Sequence, residues 1–114
     1  MHEMRIVTYV ADEVLKLAKE NKLTHIESVT LEAGEVSMII PRYLEECWTW
    51  LSKKYEILDG AKLIFESIKA INHCNDCGYD YGTLQYGRVC PRCKSDNTVL
   101  KNGSELYIKE IEAY

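Results

Sequence analysis

CNDCGYDYGTLQYGRVCPRC, residues 74–93, contains four of the five cysteines of the chain. It contains two Cys-x2-Cys pairs, Cys74 with Cys77 and Cys90 with Cys93, with twelve residues between them. Two intervening residues let a tight turn aim both sulfurs of a pair at one point, and two facing turns supply four thiolates in a tetrahedron. Four sulfurs in this geometry favour zinc or iron. The spacing therefore predicts a metal site.

The predicted site is structural rather than catalytic, because four protein ligands leave no position open for water or substrate. One alternative is a pair of disulfides, which the lack of a secretory signal pattern disfavours. Another is an iron site, since CNDCGYDYG and CPRC are similar to rubredoxin knuckles, although the gap between the pairs is much shorter here. His73, beside the first pair, is predicted to be exposed at a strand end, with exchange onto a metal as the minor alternative.

The segment around the motif, residues 73–103, is rich in Gly, Asn and Asp and poor in aliphatic side chains. It cannot bury enough apolar area to fold alone, so a metal must hold it together. Before it, AKLIFESIKAI (residues 61–71) is apolar on both sides and predicts a central strand. After it, SELYIKEIEAY (residues 104–114) predicts a further strand with an irregularity near Lys109. The metal segment is thus an insert between two strands.

The first half of the chain predicts two amphipathic helices and one strand. Apolar residues recur at helical spacing between Met4 and about Lys22. HIESVTLEA (residues 25–33) alternates apolar and polar residues, as a half-buried strand does. Pro41 suits the first position of a second helix, PRYLEECWTWLSKKY (residues 41–55). The predicted apolar stripes are Ile6, Val10, Val14, Leu17 and Ala18 in the first helix and Leu44, Trp48, Leu51 and Tyr55 in the second.

Together these elements predict an α+β fold, in which two helices lie on one face of a small three-stranded sheet with an inserted four-cysteine zinc-knuckle lobe. The predicted domains are a discontinuous α/β domain, residues 1–72 plus 104–114, and the zinc-binding lobe, residues 73–103.

Two further residues of the second helix lie beside or away from its apolar stripe. Cys47 borders this stripe and is predicted to be a buried small hydrophobe, with a reactive thiol as the alternative. Trp50, off the stripe, is predicted to be partly covered by the fold, with an exposed interface anchor as the alternative.

The charge of the chain argues against several classes of partner. Its 114 residues include 14 basic and 18 acidic side chains, a formal charge of −4. Four thiolates around one divalent ion would add further negative charge, so nucleic acid is not expected as a partner. The longest apolar runs fall short of the roughly 20 residues that a membrane helix needs, and no signal peptide is recognisable. We therefore expect no membrane partner and a cytoplasmic location.

The N-terminal residues Met1, His2 and Glu3 form a second candidate metal site. The Met1 amine, the His2 amide and the His2 imidazole place three nitrogens in one plane, a donor set that nickel(II) and copper(II) favour. The Glu3 amide or carboxylate, or a partner's ligand, would fill the fourth position. The site requires that Met1 is retained and unblocked. On ligand chemistry alone, a chance Met-His start is the alternative.

Several short motifs in a fixed order give the chain a family resemblance. They are MHEM at the start, GEVS followed by Pro41 and Leu44, GAKL, the pairs CNDC and CPRC twelve residues apart, and GSELYIKEIE at the end. In these motifs the whole sequence resembles the HypA/HybF family of hydrogenase nickel-incorporation proteins. The resemblance implies a nickel metallochaperone that is not an enzyme. It implies nickel ligands at Met1, His2 and Glu3, and structural zinc at Cys74, Cys77, Cys90 and Cys93.

The resemblance also implies partners. The family works with a nickel-binding GTPase accessory protein and delivers nickel to the large subunit of NiFe hydrogenase, and some members serve urease maturation. The expected oligomeric state is a monomer or a weak homodimer. Arg5 departs from the family, which commonly has serine at this position. The rival interpretation is a zinc-ribbon interaction or adaptor protein without a nickel role.

Overall fold

The structure is a computed structural model that describes residues 2–114, with side chains from Glu3 onward. Its helices are α1 (His2–Glu20), α2 (Pro41–Ser52) and α3 (Thr83–Tyr86), with a 3-10 turn at Glu56–Leu58. Its strands are β1 (Ile26–Gly34), β2 (Lys62–Ile68), β3 (Ile71–Cys74), β4 (Asp80–Gly82), β5 (Thr98–Asn102) and β6 (Leu106–Ala113). In the described chain they form two three-stranded sheets, in the orders β2-β1-β6 and β4-β3-β5.

The chain divides into two compact units. The first contains residues up to Leu31 together with Ile39–Glu66 and Tyr107–Tyr114, and the second contains Glu32–Met38 and Ser67–Leu106. This combination of two main helices and small sheets confirms the predicted α+β class. No helix in the described part of the chain has the length and apolar character needed to cross a membrane.

The core of the first unit includes the face where α1 and α2 pack against each other. Pro41 occupies the start of α2 as predicted, because its fixed φ and missing N–H suit a helix N-terminus. Trp48 is only 2% exposed, and its indole Nε1 donates a hydrogen bond to the Ala61 carbonyl oxygen at 2.9 Å. The other buried apolar residues include Val7, Val10, Ala11, Val14 and Ala18 of α1, Val29 and Leu31 of β1, and Leu44 and Leu51 of α2.

The predicted apolar stripes of α1 and α2 are correct in part. Leu17 and Tyr55 are exposed, whereas Val7 and Ala11, which the prediction left out, are buried. Cys47 is half-buried rather than buried. Trp50 is 55% exposed, and the Lys54 ammonium lies 3.8 Å from the centroid of its ring. The second tryptophan of α2 is therefore a surface residue.

The prediction of one central strand over residues 61–71 is wrong. β1, not β2, is the middle strand of its sheet, and the chain leaves β2 after Ile68 to start β3 of the other sheet. Ala70, in the break, is fully buried, and its N–H donates to Glu35 Oε1 at 2.7 Å. Its carbonyl oxygen accepts from the Thr83 N–H at 3.0 Å. Because these hydrogen bonds lie outside any strand ladder, the strand stops there.

Side-chain exposure alternates as expected at both ends of β6 but not in the middle of the strand. Half-buried positions fall at residues 106 and 108 and then at 111 and 113. The alternation thus shifts by one residue at Lys109 and Glu110, where the sequence predicts an irregularity. Lys109 Nζ lies 2.6 Å from Glu66 Oε1 of β2.

The second unit is an antiparallel sheet with few aliphatic residues in its interior. β3 is its middle strand, with Asn72 opposite Tyr81 of β4 and Cys74 opposite Thr98 of β5. Its buried cluster consists of Cys74, Tyr81 and Cys90. The expectation that this segment has no aliphatic core of its own is therefore confirmed.

Candidate metal centre

The four cysteines of the second unit meet at one point. Their Sγ atoms all lie within 4.8 Å of one another, with Cys74 Sγ 3.5 Å from Cys93 Sγ and Cys77 Sγ 3.7 Å from Cys90 Sγ. Zinc–sulfur bonds of about 2.3 Å in a tetrahedron place the sulfurs about 3.8 Å apart. All four are free thiols, so the disulfide alternative is wrong. The cluster has the size that a tetrahedral metal ion requires.

Each Cys-x2-Cys turn is closed by a hydrogen bond of the same kind. The Gly78 N–H donates to the Cys74 carbonyl oxygen at 2.8 Å, and the Lys94 N–H donates to the Cys90 carbonyl oxygen at 2.9 Å. Both residues have left-handed φ angles, +78° at Gly78 and +66° at Lys94. Glycine adopts this conformation freely, whereas lysine rarely does. The first turn therefore has the residue type that suits its left-handed position, whereas the second turn holds a lysine there.

Hydrogen bonds and neighbouring thiols shift the pKa values of the cysteines in opposite directions. Burial raises the pKa of the Cys90 thiol, but the backbone N–H groups of Cys93 and Arg92 and the adjacent thiols together lower it to about 7. The Ser95 N–H lowers the pKa of Cys93, whereas burial and the three other cysteines raise it to about 12. Four thiolates cannot share this volume without a cation. A bound divalent ion supplies that charge and deprotonates its thiol ligands.

The two sides of the cluster differ in exposure. Cys74 and Cys90 are buried, whereas Cys77 and Cys93 are exposed. Each pair thus contributes one inner and one outer sulfur. The cluster therefore has one exposed side, at Cys77 and Cys93.

Polar contacts join the two turns outside the sulfurs. Asp76, in the first turn, accepts hydrogen bonds from the Ser95 hydroxyl and from Asn97 Nδ2, the latter at 3.2 Å. The Asn75 N–H donates to the Asn97 carbonyl oxygen at 2.9 Å. These contacts hold the pairs face to face. No local pattern in the sequence indicates them, because residues about twenty positions apart form them.

The His73 side chain contacts Asp80 and does not join the cluster. Its Nδ1 lies 2.6 Å from Asp80 Oδ1, and Lys101 Nζ lies 2.6 Å from Asp80 Oδ2. Lys101 and His73 lower the pKa of Asp80. Among the described residues, the metal-holding group contains the four cysteines and not His73. The side chains of these three residues link β3, β4 and β5.

The N-terminal candidate site lies largely outside the described residues. Met1 and the side chain of His2 are not described, and α1 begins at His2. Glu3 lies in the first turn of α1 and lines a cleft of ≈ 270 Å³ with Tyr43, Glu46 and Cys47. The site residue that the structure describes therefore faces a recess of the first unit.

Comparison with known proteins shows to which family the chain belongs. Residues 1–113 match the family model described as hydrogenase/urease nickel incorporation, metallochaperone, HypA. The chain belongs to the HypA family. Relatives include the hydrogenase maturation factors HypA of Geotalea uraniireducens, 32% identical over 98% of both chains, and of Geobacter metallireducens, 31% identical over the same share.

Solved HypA structures have the same fold. The solution structure of a HypA protein aligns with a TM-score of 0.77 at 26% identity, over 100% of this chain and 97% of that chain. The solution structure of the nickel metallochaperone HypA from Helicobacter pylori aligns with a TM-score of 0.70 at 24% identity, over 97% and 96% of the two chains. The HypA resemblance recognised in the sequence is therefore confirmed.

Proposed function

We propose that this chain is a nickel metallochaperone of hydrogenase maturation, which binds nickel(II) at Met1, His2 and Glu3 and passes it to a partner. The observation that carries the proposal is the match of residues 1–113 to the nickel-incorporation family, together with the start of α1 at His2. Glu3 contributes its amide or its carboxylate. Nickel is here the cargo and not a resident cofactor.

The helix start supports the use of backbone amides as nickel ligands. The first four N–H groups of an α-helix have no acceptor within the helix. The amides of His2 and Glu3 belong to that group. Either amide can therefore give up its proton to nickel without the loss of a helical hydrogen bond. A histidine further along the helix would lack this possibility.

The same position favours release of the ion. The N-terminus of a helix carries a partial positive charge, which disfavours a cation within the first turn. Nickel held there by an incomplete protein ligand set can pass to a partner by stepwise ligand exchange. The amine and the imidazole have ordinary pKa values of about 7.7–8.0 and 6.5, so binding releases protons and weakens as pH falls.

The four-cysteine cluster holds structural zinc in this proposal. Cys74, Cys77, Cys90 and Cys93 fill a tetrahedral coordination sphere and leave no position for substrate. The zinc site thus supplies no Lewis-acid chemistry, and the protein acts as a carrier rather than an enzyme. Its contribution is to hold the strands of the second unit in place.

The partners follow from the family. We infer that the chain works in the cytoplasm with a nickel-binding GTPase accessory protein and delivers nickel to the large subunit of NiFe hydrogenase. Delivery to a urease maturation complex is the second destination. The chain acts as a monomer or a weak homodimer, without nucleic acid or membrane as a partner.

Calorimetric titration with nickel tests the proposal. The zinc-loaded chain is compared with His2→Ala and with a form whose Met1 amine is acetylated, and His25→Ala is the matched histidine control. We expect nickel binding to disappear in the first two and to persist in the control, with zinc content and circular dichroism unchanged. Unchanged nickel titration after both N-terminal changes would contradict the proposal and favour the zinc-ribbon adaptor.

A further inference from the structure

The first unit has a regular strand edge with no neighbouring strand in the described part of the chain. β2 is an outer strand of the order β2-β1-β6, so another strand is hydrogen-bonded to it on one side only. The free side of an outer strand carries N–H and C=O groups that a further strand can bind. β6 is the other outer strand, but its alternation is interrupted at Lys109 and Glu110. Such an irregularity hinders pairing, so residues 62–66 of β2, the β2 edge, are the better candidate for strand addition.

The side chains of the β2 edge alternate in exposure. Lys62, Ile64 and Glu66 are exposed, whereas Leu63 and Phe65 are half-buried. Successive side chains of a strand point to opposite faces, so the three exposed residues share one face and the two half-buried residues share the other. A strand added here would extend both faces and cover apolar side chains on each of them.

The charges of the exposed face are complementary to themselves. When two identical strands pair antiparallel about a two-fold axis at Ile64, Lys62 lies opposite Glu66 of the second copy, and the same pair forms again by symmetry. Ile64 meets its own copy, and on the other face Leu63 lies opposite Phe65. Unlike charges that lie directly opposite stabilise an antiparallel pair, whereas like charges destabilise it.

Other arrangements of two copies lose this complementarity. An axis at Leu63 or at Phe65 takes Lys62 away from Glu66 and sets it opposite an isoleucine. A parallel pair in register sets each charge beside its own copy, which is repulsive. Charges of one sign protect a strand edge from pairing, whereas this edge carries one charge of each sign at positions that antiparallel pairing brings together. The charge pattern therefore favours a second copy of this chain as the occupant.

Both charges are available to a second copy. Lys62 forms no ion pair in the described part of the chain. Lys109 Nζ lies 2.6 Å from Glu66 Oε1, but the Glu66 side chain is still 47% exposed, and each carboxylate oxygen can accept further hydrogen bonds. The contact with Lys109 also orders Glu66, which lowers the entropy cost of binding.

A groove of ≈ 430 Å³ lies beside the same edge. Glu45, Trp48 and Thr49 of α2 line it together with residues 61–64. Glu45 is the second charged residue of the groove besides Lys62, and no ion pair joins the two. The groove offers space for a side chain that an added strand directs towards α2.

We propose that the β2 edge is a homodimer interface, in which two copies of the chain pair antiparallel about a two-fold axis at Ile64. The two three-stranded sheets then form one six-stranded sheet, and Phe65 of each copy enters the groove of the other. Five residues on each side are far fewer than the roughly 20–30 of a stable interface, so the dimer is weak and depends on concentration. The dimer does not require nickel, and a monomeric chain would leave the proposed nickel role untouched.

Sedimentation equilibrium of the full zinc-loaded chain tests the interface. A reducing agent excludes disulfides between exposed cysteines. We expect the native chain to pass from monomer to dimer between roughly 10 µM and 1 mM. Lys62→Glu brings carboxylates opposite carboxylates, and Glu66→Lys brings ammonium groups opposite ammonium groups. Each variant alone should dimerise at least about tenfold more weakly than the native chain.

An equimolar mixture of these two variants identifies the register. In their heterodimer a carboxylate again lies opposite an ammonium group at both positions, so dimerisation should return to within about threefold of the native strength. Lys16→Glu makes the same charge change at an exposed position of α1 and should dimerise as the native chain does.

Zinc content and circular dichroism show whether each variant is folded. If Glu66→Lys fails to fold, Ile64→Lys replaces it as the weakening variant, because it brings two ammonium groups together at the axis. A native chain that stays monomeric to about 1 mM, a mixture that dimerises no better than its two components, or equal weakening by Lys16→Glu would overturn the proposed interface. So would unchanged dimerisation of Ile64→Lys where it is used.

Discussion

Gly34 and Gly103 lie backbone against backbone, so close that a Cβ on Gly34 would stand 1.8 Å from the Gly103 carbonyl oxygen. That oxygen accepts a hydrogen bond from the Val36 N–H at 2.9 Å, and the Gly34 N–H donates to the Glu105 carbonyl oxygen at 2.8 Å. Gly103 has φ +119°, and a Cβ on it would lie 2.4 Å from Ala70 Cα. This close approach of two backbone segments, the Gly34–Gly103 crossing, therefore requires glycine at both positions.

The substitution Gly34→Ala should destabilise the zinc-loaded protein by about 3 kcal/mol, the upper end of the usual cost of overpacking, because the new methyl group meets backbone that cannot move aside alone. Urea unfolding followed by circular dichroism measures the change. Gly82→Ala is the matched control, since a Cβ there meets only the ends of flexible side chains, Gln85 Oε1 at 3.1 Å and Lys69 Cε at 4.0 Å. The control should change stability by about 1 kcal/mol or less. Equal stability of the two variants would contradict this account of the crossing.

The Glu105 carboxylate should make stability depend on pH. The N–H groups of Gly103, Glu105 and Ser104 donate to it and lower its pKa below the ordinary value. A lowered folded-state pKa stabilises the fold above the unfolded pKa of about 4.3, and this contribution is lost as pH falls through the folded-state pKa. We therefore expect Glu105→Gln to be less stable than the native chain at neutral pH, and the difference to disappear in acid.

Urea unfolding of both forms at a series of pH values measures that difference. Loss of zinc from protonated cysteines affects both forms, so the comparison between them isolates Glu105. Glu112→Gln, which makes the same charge change at an exposed position of β6, serves as the matched control. A stability difference that stays constant from neutral to acid pH would rule out the assigned role of Glu105.

Removal of zinc should unfold the second unit and leave the helices of the first unit formed. The buried cluster of the second unit is Cys74, Tyr81 and Cys90, so the metal provides most of its cohesion. Hydrogen exchange after chelation should show loss of protection in β3, β4 and β5, with α1 and α2 still protected. Cys77→Ser should have the same effect without a chelator, whereas Cys47→Ser, outside the cluster, should retain zinc. Retained protection of β3 in Cys77→Ser would disprove the structural role of the metal.

The sequence predicted those features that depend on local spacing. The two Cys-x2-Cys pairs are fixed by turns of a few residues, so the thiol cluster could be derived from them. The long helices α1 and α2 have strong periodicity, and Pro41 marks the start of the second. The family resemblance came from motifs in a fixed order. It could be recognised without any knowledge of tertiary contacts.

The features that the sequence missed depend on contacts between distant positions. β3, β4 and β5 contain three to five residues each and carry polar side chains, too short and too polar for an alternation to be visible. The end of β2 is set by Ala70, whose hydrogen-bond partner Glu35 is 35 positions away. The stripe of α1 includes Val7 and Ala11 because tertiary packing, rather than the hydropathy pattern alone, decides which face is covered.

Because the four cysteines differ in exposure, reagents in solution reach the cluster from one side. Cys77 and Cys93 face solvent, whereas Cys74 and Cys90 face the interior. A chelator or an alkylating reagent in solution would meet the exposed Cys77 and Cys93 first, while the buried Cys74 and Cys90 would still hold a bound ion. The rate at which a bound metal ion exchanges would then depend on how readily the two exposed thiolates detach, and not only on the equilibrium affinity of the whole site.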